Sequence, residues 1–263
     1  MDTIDVMSKY ELYSLIISII AIAISILTPL GKWIYIKIFL TAKLEYYPTG
    51  EATLFFNQSG SYIRLNGVIE SKRNATTIKK MRIELTRKLD NRKLNLAWSY
   101  LVSPISQSML GNFVQTTEAA HPFRVEADSV ACAFVEYSDP SDSAGIKIRR
   151  ICNELSSLIQ QITVNTTYKE AFATLCKSNE YIEATHYLQD VFFWEIGKYS
   201  ADVIIEYDKN KQKTFSLEFD VSESCYTTLR HNIEESLTTE MKRLCGIPFA
   251  FQSSKVEVIG GRQ

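Results

Sequence analysis

Apolar residues follow three different rhythms along this chain. From Leu12 to Leu30 they run almost unbroken, LYSLIISIIAIAISILTPL, 19 residues without a charge. At 1.5 Å rise per residue that is roughly 28 Å, the thickness of a bilayer's hydrocarbon core, so one membrane-spanning helix is predicted. The residues ahead of it are acidic on balance, with Asp2, Asp5 and Glu11 against Lys9. Pro29-Leu30-Gly31-Lys32-Trp33 is not a small-residue cleavage site, so the reading is a retained anchor rather than a signal peptide. Lys32, Lys37 and Lys43 follow the span, which predicts an N-terminus outside and a C-terminal bulk in the cytoplasm. Trp33 and Tyr35 suit the interface, and residues 33–42 read as a short continuation of the helix, with a kink allowed at Pro29 and Gly31. Residues 1–42 are thus one unit, an anchor and interfacial helix.

Between residues 43 and 137 the rhythm is alternation. Strands are predicted at Lys43–Tyr47, Ala52–Phe56, Tyr62–Glu70, Ile78–Leu89, Leu94–Trp98, Phe123–Val125 and Val130–Tyr137. Pro48-Thr49-Gly50, Asn57-Gln58-Ser59-Gly60 and Asp90-Asn91 read as turns. In the fourth strand Met81, Ile83 and Leu85 face one side, and Lys80, Arg82, Glu84 and Thr86 the other. Short alternating strands at this spacing predict an antiparallel β-sandwich.

Helical spacing then takes over. Ile148, Ile151, Leu155, Leu158 and Ile162 mark one helix, and Asn165-Thr166-Thr167 a break with a candidate N-cap. Phe172 and Leu175 mark a second helix; Ser178 or Asn179 caps a third. Strands return at Ala201–Tyr207 and Thr214–Val221 around a turn at residues 208–211, and Ser222 or Ser224 opens a closing helix to about Leu244. The tail after Ser253 is polar and glycine-containing, hence expected loose. The predicted class is α+β: a single N-terminal transmembrane helix, then a cytoplasmic antiparallel β-sandwich-like sensor domain over 43–263. That domain carries a helical insertion at 141–195 and a C-terminal helix. Its last strands either rejoin the first sheet or form a separate unit.

Composition narrows the chemistry. The 263 residues carry a net charge of −1, which does not point to a nucleic-acid protein. Cys132, Cys152, Cys176, Cys225 and Cys245 form no CxxC pair and read as reduced core thiols. His121, His186 and His231 have no metal-ligand spacing, and GxSxG, P-loop and GxGxxG patterns are absent. Asp202, Glu206, Glu218 and Asp220 lack the lysine of a nuclease-type order. The expectation is a protein without catalytic residues, metal or cofactor.

Two patterns stand out. Within the span, Ser14, Ser18, Ala21, Ser25 and Thr28 lie within about 80° on one helix face, a seam of small and hydroxyl residues. Three readings are open: hydroxyls bonded back to their own helix, an oligomer contact, or the lining of an oligomeric pore. Second, ten basic residues against Glu70, Glu84 and Asp90 give residues 64–93 a charge of +7. Of these, Lys72, Arg73, Lys79, Lys80, Arg82, Lys88, Arg92 and Lys93 are the candidate phosphate ligands. A solvated sheet face and attraction to an anionic leaflet are the other readings. Tyr62, Trp98 and Tyr100 are near in sequence and are candidates for stacking a base.

An anchor with a Ser/Thr seam over Leu12–Leu30, followed by strands and a basic window, resembles the membrane effectors of bacterial antiphage systems, the Hailong-type channel effector in particular. The likeness is one of architecture and carries no short motif. It implies a homo-oligomeric channel in the lipid bilayer of the inner membrane. It also implies a nucleotide or single-stranded DNA oligomer as ligand, made by a partner nucleotidyltransferase. Related effectors use two or more spans, whereas one is predicted here. A membrane-tethered adaptor that recruits a protein partner, with no transport role, is the alternative.

Overall fold

The apolar run folds as predicted. In the computed structural model, which describes residues 9–39, 42–109, 112–164, 166–208 and 211–260, helix α1 spans Lys9–Phe39 with Pro29 inside it. Its stretch Leu12–Tyr35 is long and apolar enough to cross a membrane, and every residue in that stretch is exposed. Between Leu12 and Leu30 this exposed surface carries no charge, which suits lipid better than water.

Among the described residues, eight strands precede the helical insertion. They are β1 (Lys43–Asn57), β2 (Gly60–Lys72), β3 (Thr76–Arg87), β4 (Lys93–Met109), β5 (Asn112–Ala119), β6 (Phe123–Val125), β7 (Ser129–Cys132) and β8 (Val135–Ser138). Helices α2 (Ser143–Thr163), α3 (Tyr168–Leu175) and α4 (Asn179–Val191) follow. The chain ends with β9 (Gly197–Tyr207), β10 (Lys211–Val221), α5 (Glu223–Leu244) and β11 (Ser253–Gly260). The predicted caps form. Thr167 accepts from the Glu170 amide in a capping box, Ser178 from the Tyr181 amide and Ser222 from the Cys225 amide.

The sheet is a barrel, not the expected sandwich. β3 is hydrogen-bonded to β9 on one edge and to β4 on the other, so no gap divides two sheets. The ring runs β4-β8-β2-β1-β11-β10-β9-β3 and returns to β4, with every pairing antiparallel. An antiparallel ring closes only with an even number of strands, and eight is the size that side chains alone can fill. β5, β6 and β7 attach outside it, to β4, β3 and β2. β9 and β10 therefore join the first sheet, and residues 43–260 share one core. α5 packs on β1 and β11, and α2, α3 and α4 pack with α5, forming a helical layer on one side of the ring. Phe56 of β1 meets Phe192 edge-on at 5.0 Å, and the Trp194 indole donates to the Phe55 carbonyl at 2.8 Å, tying that layer to the wall.

Two local expectations are corrected. Pro48-Thr49-Gly50 is no turn: β1 runs through it with an irregular register between Pro48 and Ala52. Proline is tolerated because β11 pairs with β1 only from Glu51 onward, and Gly67 opposite exchanges its backbone hydrogen bonds with Ala133 instead. The Tyr46 ring fills the space a Cβ on Gly67 would need. Nor is the tail loose: Ser253–Gly260 is β11, with Val256 and Val258 buried.

Candidate functional site

Ser14, Ser18, Ala21, Ser25 and Thr28 all lie on α1 and all are exposed. Ser18 Oγ donates to the Ser14 carbonyl at 2.8 Å and Thr28 Oγ1 to the Ile24 carbonyl at 2.7 Å. Two hydroxyls of the seam thus satisfy their protons within the helix. Each oxygen keeps lone pairs that accept from water or a neighbouring helix, so the back-bonds do not exhaust the seam.

The basic window disperses on folding. Lys72 and Arg73 sit where β2 ends, beside the start of β1. Lys79, Lys80 and Arg82 lie along β3, while Lys88, Arg92 and Lys93 surround the β3–β4 turn. β3 alone separates its ends by about 36 Å at 3.3 Å per residue, so the eight cations do not form one pocket. Most of those with described partners face carboxylates or carbonyls. Lys72 Nζ lies 2.6 Å from Glu45, Lys88 Nζ 2.7 Å from Glu218, and Arg92 donates to the Asp190 carbonyl at 2.7 Å. Arg82 is 3.9 Å from Glu84, and Lys80 stands opposite Glu206 in register. Nearby, Arg64 pairs with Glu136 at 2.9 Å. Buried Arg87 takes both oxygens of Asp90 at 2.9 and 2.6 Å and donates to the Phe193 carbonyl at 3.2 Å. The Arg87 guanidinium in turn holds the Asp90 carboxyl well below the usual carboxylate range. The sequence shows the basic residues as a run; Glu84 and Asp90 lie within it, but Glu45, Glu136, Glu206 and Glu218 arrive from other strands.

Glu45 illustrates the consequence. The Lys72 ammonium, then the Tyr47 hydroxyl and Lys43, pull its carboxyl from 4.5 down to about 2. Tyr47, which donates to Glu45 and Glu70, is pushed up to about 12 by those carboxylates. Since folding lowers the Glu45 value, its contribution to stability is present above pH 4.5 and fades as pH falls toward 2. The melting-temperature gap between the natural chain and Glu45→Gln is therefore expected to close over that interval. A gap constant down to pH 2 would refute the pairing.

Of the three aromatic candidates, Tyr62 and Tyr100 meet in one cleft of about 470 Å³, and Trp98 packs instead on Phe123 with ring centres 6.4 Å apart. Tyr62 already stacks on Phe55 at 4.6 Å. The cleft's charged lining is Glu136, Asp139 and Asp142, of which Glu136 is paired with Arg64 and Asp142 with Arg149, and none of the candidate phosphate ligands lines it. Burial raises the Asp139 carboxyl, but hydrogen bonds from Ser141 and Ser143 outweigh it and hold the group low.

His121 is exposed in a loop, and His231 lies 3.2 Å from Glu235 on α5. Among the described residues no three His, Cys, Asp or Glu side chains cluster to hold a metal. All five cysteines are free; contrary to the expectation of core thiols, only Cys225 is buried and Cys132 is exposed.

No family model matches the chain, and no curated protein matches it. Solved structures match weakly. One is a family 123 glycoside hydrolase from Clostridium perfringens, described in terms of glycolipid glycan hydrolysis, at 9% identity and TM-score 0.30 over 69% of this chain. Another is Spo0M, a sporulation control protein from Bacillus subtilis, at 8% identity and TM-score 0.27 over 72% of this chain. The chain spans 27% and 55% of their respective lengths, and likenesses of this degree carry no argument about fold or activity.

Proposed function

We propose that this chain is a single-pass membrane effector of bacterial antiphage defence. Its barrel faces the cytoplasm and senses a nucleotide or single-stranded oligonucleotide made by a partner nucleotidyltransferase. Several copies bring their α1 helices together into a pore that depolarises the inner membrane. The observation that carries this reading is the α1 seam: hydroxyls share one face of a helix whose described surface no part of its own chain covers. One helix cannot enclose a pore, so the reading requires an oligomer. Hydroxyls with free lone pairs suit either a helix contact or a wetted lining.

The test is membrane potential in cells expressing the full chain, followed with a voltage-sensitive dye. Depolarisation is expected on induction. It should vanish when Ser14, Ser18, Ser25 and Thr28 are all replaced by leucine, although the protein still sediments with membranes. Equal depolarisation by the leucine variant would sink the pore.

A specific observation favours the adaptor as second reading. The candidate phosphate ligands are dispersed, and several of them are neutralised within the barrel. An adaptor predicts that an unrelated anchor can replace Leu12–Tyr35 without loss of function.

A further inference from the structure

We infer that the groove between α4 and α5 is a nucleotide site, in which Arg230 holds the phosphate and Glu234 the edge of an amine-bearing base. This rests on reading the domain as a nucleotide sensor, and it places the ligand on the helical layer instead of the dispersed basic window. Helix α4 packs on α5. Tyr181, Thr185 and Gln189 of α4 follow one another at intervals of four and share a face, as do Tyr226, Arg230 and Glu234 of α5. The two stripes line one groove of about 400 Å³ with buried Ile233 among its walls. Small-molecule sites run from about 300 to 1,000 Å³, so the groove has room for one nucleotide unit.

The two helices run past each other in opposite directions. Phe192, which caps the end of α4, meets Tyr226 near the start of α5 edge-on at 6.0 Å. Burial, then the neighbouring Cys176 and Glu234, push the Tyr181 hydroxyl up, which puts Glu234 beside the start of α4. The groove therefore has a Gln189–Tyr226 end and a Tyr181–Glu234 end. Two helical turns separate Tyr226 from Glu234, about 12 Å at 1.5 Å per residue. That is comparable with the span of a nucleotide from phosphate to base edge.

The ends differ in charge. Charged side chains four residues apart on a helix are near enough to pair. Arg230 instead lies over the Tyr226 ring one turn back, 5.3 Å from its centre. Lys242 pairs with buried Glu235, and Arg243 with Glu240. Arg230 and Glu234, both exposed, enter no ion pair among the described residues. A guanidinium laid on an aromatic face keeps its in-plane N–H fork for a second partner, and a phosphate matches that fork. At the other end a carboxylate repels a second phosphate and accepts from the exocyclic amine of a base. Tyr181 stands beside that carboxylate as the ring on which the base stacks. Its own ring is held edge-on by Phe172 at 6.5 Å, so the ligand does not have to order it.

Equilibrium dialysis of the detergent-solubilised full chain tests this with radiolabelled AMP, CMP and UMP, and with a mixed-sequence single-stranded DNA hexamer. AMP and CMP carry an exocyclic amine and UMP does not, so UMP should bind about tenfold more weakly, as the loss of one charge-assisted hydrogen bond dictates. Arg230→Ala should weaken AMP and CMP by about tenfold or more. Glu234→Gln should erase most of the preference for AMP over UMP. Neither substitution should move the melting temperature, since both side chains are exposed and outside ion pairs. AMP affinity unmoved by Arg230→Ala, or a base preference unmoved by Glu234→Gln, overturns the groove and leaves the sensing reading standing. Binding of the hexamer without binding of AMP or CMP does the same. Absence of binding by all of the probes overturns the sensing reading as well.

Discussion

Ending the chain at Gln252 is expected to abolish cooperative unfolding of the barrel, although the deleted residues are few and their sequence looks like a tail. β11 pairs through Ser253–Glu257 with β1 and through Val258–Gly260 with β10, so it is the stave that joins the first strand of the domain to the last pair. Without it the ring opens, and two strand edges are left with unpaired backbone groups. Burial of Val256 and Val258 is worth about 1.5–3 kcal/mol each. The ladder bonds add about 0.5–1.5 kcal/mol apiece. Their sum is comparable with the 5–15 kcal/mol that holds an ordinary domain together. Circular dichroism of the detergent-solubilised truncated chain should show retained α1 helix but no sigmoidal melt of the sheet. A cooperative melt within a few degrees of the full chain would mean that β11 is an accessory rather than a stave.

That strand also shows where reading the sequence stops. Alternation marks a strand whose one face is buried and the other wet, and it marks β1, β2, β3, β9 and β10 well. In β11 the alternation is confined to Val256 and Val258, between serine and glycine, too short to separate from a polar tail. β5 fails for the opposite reason: its described face from Gln115 to Ala119 is exposed throughout, so nothing makes it alternate. Pro48 was legible as a breaker, but whether a proline breaks a strand depends on whether a neighbour needs its N–H, and that neighbour is about 200 residues away. Closure itself leaves no local trace. A sandwich and a barrel both alternate, and only the pairing of β3 with β4 as well as β9 distinguishes them.

The same reasoning governs the candidate site. The hydroxyl seam was legible because a helix has a fixed angular period, so its face follows from spacing alone. The basic window was legible as a run but not as a surface. Lys72 and Arg64 meet Glu45 and Glu136 across paired strands, and Lys88 meets Glu218 of β10 past the end of β3, over separations of 27, 72 and 130 residues. A local excess of +7 therefore overstates the field that a ligand would meet.

Asn232→Leu is expected to destabilise the domain by about 4 kcal/mol, the largest effect of any single substitution considered. Asn232 is fully buried on α5, and both its amide hydrogens and its oxygen are engaged. Nδ2 donates to the Phe56 carbonyl at 2.8 Å and to the Gln252 carbonyl at 2.7 Å, while Oδ1 accepts from the Gln252 amide at 2.8 Å. One side chain thus ties the end of β1 to the residue that introduces β11, across the helix that covers both. Leucine has similar volume and keeps the packing, but it strands the buried Phe56 carbonyl at about 1–3 kcal/mol, and it removes the partners of the amide and carbonyl of the exposed Gln252 at about 0.5–1.5 kcal/mol each. Asn232→Asp is expected to be no better, because a carboxylate cannot donate and would face two carbonyl oxygens. Urea unfolding of the full chain, followed by far-ultraviolet circular dichroism, measures the effect. The midpoint should fall with an unchanged slope, since a lost staple lowers stability without altering the surface exposed on unfolding. A loss under about 1 kcal/mol, less than one stranded group costs, would mean that water reaches these groups and that the closure of the ring does not depend on α5.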